Sequence, residues 1–311
     1  MDKQTYLYLN YVCNSNCIFC ASDLTNRTKN IQSISLDKIK ELLDKQSILF
    51  NRLLISGGEP TVHKEIIEIL RYATTKFRQV NLATNGILLS DYAFAKDIVD
   101  TGISRVAIPF YHTDPCTFNE LVRNDKAYDS IISAIKNLSQ LKKSGHNFDV
   151  NIKLLIMKPN YKVNPDVVEF IRQIFSQLKY ITLATLRISE KVLKNRERLV
   201  VNLNEARPYI SETVRIMLKY GISFTFDYVP LCALEQDLLY ELLKIGTLFR
   251  RQTISTIIRP ETVLPNKPLP YYESSSCRYC AVNAYCSRVP KKNHQHMNYD
   301  AQLHHVFPIN I

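Results

Sequence analysis

The chain has 311 residues, 46% of them hydrophobic and 22% charged, with a formal net charge of +11. This balance excludes a disordered or fibrous polymer, and no run of eighteen apolar residues is present to cross a membrane. The charge admits a nucleic-acid or acidic-peptide partner, or equally a basic surface with no partner: Lys and Arg are spread along the chain, and the densest stretch, 191–198, is only moderately charged.

The start, Met1-Asp2-Lys3-Gln4, has no basic n-region or cleavage site, so no signal peptide is expected. The eight cysteines are too few for a secreted disulfide scaffold. They cluster as Cys13/Cys17/Cys20 and Cys277/Cys280/Cys286, with Cys116 and Cys232 apart. Tight clusters without a signal peptide read as metal ligands in a reducing compartment, which places the protein in the cytoplasm.

Residues 4–11 read as a strand that runs into the first cysteine cluster. Ser35 caps a helix over 36–46, with Ile39, Leu42 and Leu43 on one face. A short strand over 52–56 ends at Gly57-Gly58-Glu59-Pro60, and a helix over 64–77 follows. The strand 80–84 ends at Asn85-Gly86; Ser90 caps the next helix, which Gly102 stops. Strand 106–110 leads through a polar loop to a helix over 127–144, stopped by Gly145. Strand 150–157 precedes a helix opened by Asn164-Pro165 and running to 178. Strand 181–187, a basic loop, a helix over 204–220 stopped by Gly221 and a strand over 222–228 complete the regular part. After that a helix is expected over 234–249, and Pro260, Pro265, Pro268 and Pro270 break regular structure.

Strand–helix alternation repeated six times, with short apolar strands, predicts an α/β fold with a parallel sheet covered by helices. Six units are too few to close an eight-fold barrel, so the expected form is an open, partial (β/α)6 TIM-like barrel with a small C-terminal cysteine-rich auxiliary domain. The boundary is placed at 228, giving units 1–228 and 229–311. In parallel barrels the working residues sit at the C-terminal strand ends. The unusual residues fall there: the cysteine loop, Gly-Gly-Glu-Pro, Asn85-Gly86 and Arg187.

Three thiols within eight residues are one short of a closed zinc site, which takes four ligands. A four-iron cluster held by three cysteines keeps one iron open. Cys13-x3-Cys17-x2-Cys20 after a first strand, with Phe19 before the last Cys, and Gly57-Gly58-Glu59-Pro60 after the second strand resemble the radical S-adenosylmethionine superfamily over about residues 4–230. The resemblance implies a [4Fe-4S] cluster on Cys13, Cys17 and Cys20, with S-adenosylmethionine chelating the open iron. It further implies a reductant such as flavodoxin or ferredoxin, reductive cleavage to a 5′-deoxyadenosyl radical, and hydrogen-atom abstraction from a substrate. Gly57 and Gly58 then allow close backbone approach, their carbonyls and Glu59 accept from the cofactor's ammonium, and Pro60 fixes the turn. Phe19 is expected near the adenine or in the core. Asn85 and Arg187 are expected at the methionine or ribose, or as a turn former and a surface ion pair.

Cys277-x2-Cys280-x5-Cys286, with Cys232 upstream, resembles the auxiliary domains of SPASM and Twitch type. No further Cys follows Cys286, which favours a shortened, Twitch-like domain with one [4Fe-4S] cluster; four thiolates also suit zinc. Cys116 is a candidate hydrogen donor facing substrate, and Tyr111, His112 and Asp114 are candidate substrate contacts. His294, His296, His304 and His305 read as a solvated tail. By analogy with the domain type, the expected function is maturation of a ribosomally synthesised peptide. The chain enters its first strand by residue 4, so a leader peptide would be read by a separate protein or by the auxiliary domain. The alternatives are a small-molecule enzyme of a cofactor or antibiotic pathway, a nucleic-acid-modifying enzyme, and a non-catalytic metal-binding scaffold.

Overall fold

The computed structural model describes residues 4–21 and 35–245, and in the remainder the strands 254–259, 262–265, 271–272 and 289–290 with Cys277, Cys280, Val282, Asn283, Tyr285, Cys286, Lys291 and Gln295. The four tail histidines and residues 246–249 of the expected last helix lie outside the described residues.

Seven strands run parallel in sequence order and form a curled half-barrel: β1 (Gln4–Tyr8), β2 (Arg52–Ser56), β3 (Gln79–Ala83), β4 (Arg105–Pro109), β5 (Asp149–Ile156), β6 (Tyr180–Thr185) and β7 (Ser223–Asp227). The α/β partial barrel is therefore as expected. The strands are not buried on both faces, however. Each of β2 to β5 alternates strictly, one residue buried and the next half-exposed. Leu53, Ile55, Val80, Leu82, Val106, Ile108, Ile152 and Leu154 form the buried face and belong to the main core. The opposite face is mixed and includes Arg52, Asn81, Arg105, Asn151 and Lys153. Each fully buried Leu or Ile contributes about 1.5–3 kcal/mol, so this alternation fixes which face the helices cover.

The helices cover it with stripes at three- and four-residue spacing. Helix α1 (Leu36–Ser47) buries Ile39 and Leu43, and Ser35 caps it by accepting from the Lys38 N–H. Helix α2 (Ile66–Lys76) buries Ile66, Ile69, Leu70 and Ala73. Helix α3 (Tyr92–Asp100) is capped by Asp91 and not by Ser90, which ends a short 3-10 turn, Ile87–Ser90. Gly102, with φ of +85°, takes the left-handed position after that helix, as expected.

The polar loop after β4 contains a helix, α4 (Pro115–Val122), with Asp114 as its cap and Pro115 in its first turn. Helix α5 (Ala127–Lys143) and helix α6 (Asn164–Ile174) follow. Asn164 is the first helical residue and not the cap; its side chain is buried and reaches the Leu155 carbonyl. Strand β6 stops at Thr185, so Arg187 lies two residues beyond it and is exposed. The basic loop is two short helices, α7 (Glu190–Lys194) and α8 (Arg196–Leu199), each burying one apolar residue, Val192 and Leu199. Helix α9 (Leu203–Lys219) and helix α10 (Gln236–Lys244) complete the layer.

The proline-rich stretch also forms strands. β8 (Ile254–Arg259) pairs parallel with β1, and β9 (Thr262–Pro265) pairs antiparallel with β8. The sheet order is β7-β6-β5-β4-β3-β2-β1-β8-β9, so the chain returns to the free edge of its first strand. A two-stranded ribbon, β10 (Tyr271–Tyr272) with β11 (Val289–Pro290), brackets the last cysteine cluster.

Candidate functional site

The cysteine loop leaves β1 and is held from three sides. On the first side, the chain after β2 pairs with the segment before Cys13: Gly58 N–H donates to the Asn10 carbonyl and Glu59 N–H to the Val12 carbonyl, both at 2.7 Å. A Cβ on Gly58 would lie 2.3 Å from the Val12 oxygen, and one on Gly57 would lie 2.7 Å from the Asn10 oxygen. The two glycines are therefore required by the approach to this chain's own loop, before any ligand is considered.

On the second side, α4 ends against the loop. Asn16 N–H donates to the Val122 carbonyl at 3.1 Å and Ile18 N–H to the Leu121 carbonyl at 3.0 Å, while Asn124 reaches the Asn14 carbonyl. On the third side, Ser189, Lys191 and Asn195 donate to the carbonyls of Cys20, Cys17 and Ile18. These supports come from helices that the sequence presented as loops, although Asp114-Pro115 before α4 and Ser189 before α7 are local capping signals.

Glu59 is buried, 1% exposed. One oxygen accepts from the Thr61 N–H, the Thr61 hydroxyl and the Thr84 hydroxyl, and the other from the Asn85 N–H at 2.6 Å. Burial pushes its carboxyl up, and the bonds from Asn85, Thr61 and Thr84 oppose the shift. The carboxylate thus ties the end of β2 to the end of β3. Pro60 opens the 3-10 turn that Glu59 caps. Glu59→Gln places an amide N–H2 where donors already point, and is expected to cost about 2 kcal/mol or more through unsatisfied buried groups, read as a lower thermal midpoint. An unchanged midpoint would show that the four bonds do not hold the two strand ends.

Asn85 does two things. Its side-chain oxygen accepts from Ile87 N–H, the turn role, and its amide donates to Asn14 at 2.7 Å and towards the Cys13 sulfur at 3.8 Å. Phe19 is buried, 6% exposed, edge-on to Tyr111 with ring centroids 4.7 Å apart. Burial, then the thiols of Cys17, Cys20 and Cys13, push the Tyr111 phenol well above its ordinary value, which places it in the electrostatic reach of all three. Burial, then Cys20 and Cys13, push the Cys17 thiol up to about 12. Asp114 is occupied as the α4 cap, His112 accepts from its N–H, and Cys116 is exposed in the first turn of α4.

The second cluster is also assembled. Burial, then Cys286, Cys277 and Cys280, push the Cys232 thiol up to about 12, while Arg207 draws it down. Leu231 N–H donates to the Cys286 sulfur at 3.5 Å. Val282, between these cysteines, is 1% exposed and joins the main core, so the cluster is seated on the barrel.

Burial and neighbouring cysteines push up the thiols of Cys17 in the first set and of Cys232 and Cys280 in the second, so bare thiolates are disfavoured there and a bound cation would offset that cost. Among the described residues no three His, Cys, Asp or Glu side chains close on a point that holds one metal ion. A four-iron cluster is wider, with each thiolate binding its own iron, and the donor set of Cys13, Cys17 and Cys20 fits it.

A model of the Radical SAM superfamily matches residues 7–174 of the chain. GTP 3′,8-cyclase of Clostridium acetobutylicum is 29% identical over 208 residues, covering 63% of this chain and 62% of that protein. Probable GTP 3′,8-cyclase of Methanothermobacter thermautotrophicus is 30% identical over 115 residues, 36% of each chain. The match thus spans less than two thirds of the length of either. The probable GTP 3′,8-cyclase of Methanocaldococcus jannaschii is 24% identical over 262 residues, covering 74% of this chain and 85% of that protein. Among solved structures, Streptococcus suis SuiB bound to S-adenosylmethionine superposes with a TM-score of 0.64 at 14% identity, covering 91% of this chain and 72% of that one. Methylornithine synthase (PylB) gives 0.51 at 16%, covering 99% and 83%. At such identities the likeness is one of fold alone.

Proposed function

Since the chain belongs to the radical SAM superfamily, we propose that it is an enzyme that cleaves S-adenosylmethionine reductively and acts on a small polar molecule. The observation that carries the chemistry is the joining of Gly58 and Glu59 to the backbone that leads into Cys13. When bound, a [4Fe-4S] cluster there supplies one electron to the sulfonium of S-adenosylmethionine. Cys13, Cys17 and Cys20 hold the cluster. Carbonyls of Gly57 and Gly58 would accept from the cofactor's ammonium, Asn85 and Arg187 would contact the methionine and ribose, and the buried pair Phe19 and Tyr111 would keep water from the cluster side. Cys232, Cys277, Cys280 and Cys286 hold a second cluster, in an auxiliary unit 229–311 appended to the barrel unit 1–228. A one-electron donor such as flavodoxin or ferredoxin serves the first.

The substrate class rests on two supports. The curated relatives carry the name GTP 3′,8-cyclase, which favours a small molecule over the peptide expected from the cysteine spacing. The second support is the half-exposed face of the sheet. Lys153 on β5 pairs with Asp227 on β7 at 2.7 Å, and Asn151, Thr182 and Thr225 form a hydrogen-bonded row beside them. Such a face offers charge-assisted and neutral bonds to a polar substrate.

The test is anaerobic reconstitution, then S-adenosylmethionine, a reductant and GTP. About eight irons per chain are expected, from two four-iron clusters, with 5′-deoxyadenosine released faster when GTP is present. Iron near four with zinc near one would reassign the second site. Stimulation by peptides and by no nucleotide or other small polar compound would overturn the substrate class. Lys153→Met is expected to raise the GTP concentration for half-maximal stimulation about tenfold, the loss of one charge-assisted bond, with iron unchanged. An unshifted concentration dependence would remove Lys153 from the substrate site.

A further inference from the structure

The segment between β6 and α9 grips the cysteine loop at three carbonyls within four residues, those of Cys17, Ile18 and Cys20. The Ser189 hydroxyl donates to Cys20 at 2.8 Å, the Lys191 ammonium to Cys17 at 3.3 Å, and the Asn195 amide to Ile18 at 3.4 Å. Lys191 also donates to the Asn16 side chain. The grip rests on a firm seat. Val192 and Leu199 are fully buried, Lys158 bonds the carbonyls of Glu197 and Leu199, and Arg198 pairs with Glu120 of α4, the helix that holds the loop from the other side.

Two of the three gripping groups are neutral and one is a cation. We propose that Ser189–Asn195 is a clasp that sets the reduction potential of the cluster on Cys13, Cys17 and Cys20, with Lys191 as the residue that does so. The inference rests on the reading that a cluster sits there. Reduction adds one negative charge to a group set among half-buried thiolates, where that charge is poorly screened. A cation fixed against the loop by its Asn16 and Cys17 bonds stabilises the reduced state more than the oxidised one. It costs no reorganisation when the electron arrives, because the bonds already hold it. Ser189 and Asn195 do the holding without charge. Lys191 is thus a positioning and tuning residue; it acts through the loop.

The test uses full-length reconstituted protein carrying Lys191→Met, Lys191→Arg or Ser189→Ala. The readouts are iron content, the midpoint of the paramagnetic reduced signal in a redox titration, and 5′-deoxyadenosine release with flavodoxin and with the stronger reductant titanium(III) citrate. Lys191→Met is expected to keep wild-type iron while its midpoint moves negative by roughly 59 mV, a tenfold change in a one-electron equilibrium. Release driven by flavodoxin falls about tenfold and recovers with titanium(III). Lys191→Arg restores the midpoint, and Ser189→Ala leaves it unmoved. An unshifted midpoint in Lys191→Met, or a loss of iron in that variant, overturns the proposal, the second because it would make the residue structural. A wild-type protein that binds no cluster at Cys13, Cys17 and Cys20 would remove the underlying reading instead.

Discussion

Cys17→Ala is expected to abolish 5′-deoxyadenosine formation and to lower iron from about eight to about four per chain. Cys17 is the middle of the three proposed ligands, and its thiol is pushed up to about 12 by burial and by its two neighbours. The same surroundings that oppose a bare thiolate favour a thiolate paired with iron, since the pair buries far less net charge. Without that sulfur, Cys13 and Cys20 are left as two thiolates for a cluster that needs three. The loop supports from Leu121, Val122, Ser189 and Asn195 go to backbone atoms, so the fold around the gap persists. Cys232→Ala should do the converse, removing the other four irons while leaving cleavage of S-adenosylmethionine measurable. Cleavage by the Cys17→Ala protein, or loss of all iron from it, would show that the two sets are not separate sites.

The parts legible in the sequence were those whose signal is local. Ser35 before α1, the glycines after helices and the apolar alternation gave most element positions, because each depends on residues within a turn or two. The two cysteine sets and Gly-Gly-Glu-Pro were legible for the same reason. Helix α4 escaped although Asp114-Pro115 is a cap followed by a first-turn proline; its eight residues are too few to show a full apolar stripe. Strand β8 escaped because the prolines around it read as breaks, whereas its pairing is with β1, some 250 residues earlier, so nothing local announces it.

The site's supports were illegible for a related reason. Asn85 meets Cys13 across 72 residues, Ser189 meets Cys20 across 169, and Thr84 meets Glu59 across 25. Each is a small polar residue whose role is decided by where the barrel brings strand ends together. Only the thiols and the glycines are residue types unusual enough to stand out in the sequence. Glu59 has a structural role that its motif did not announce: four protein donors bond its two oxygens, three of them on one oxygen.

Gly58→Ala should match Cys17→Ala in its loss of 5′-deoxyadenosine and of about four irons, while leaving every thiol in place. The added methyl would meet the Val12 carbonyl oxygen at 2.3 Å and the Tyr11 carbonyl carbon and oxygen at 2.7 Å. These are backbone atoms, so no side chain can swing away. The strand must part, and the Glu59–Val12 and Gly58–Asn10 hydrogen bonds at 2.7 Å are the contacts that give. Overpacking of this kind costs about 1–3 kcal/mol, at times more. The larger consequence is positional, because Val12 is bonded to Cys13 and a shift of the one carries the other. Gly145→Ala is the control: nothing lies within 4 Å of its added methyl, and only the left-handed φ of +97° is strained. It is expected to cost about 1 kcal/mol in stability and to keep all its iron. If Gly58→Ala instead retained full iron and full cleavage, the close backbone approach would not be what fixes the cysteine loop, and the placement of Cys13 would have to come from Asn85 and α4.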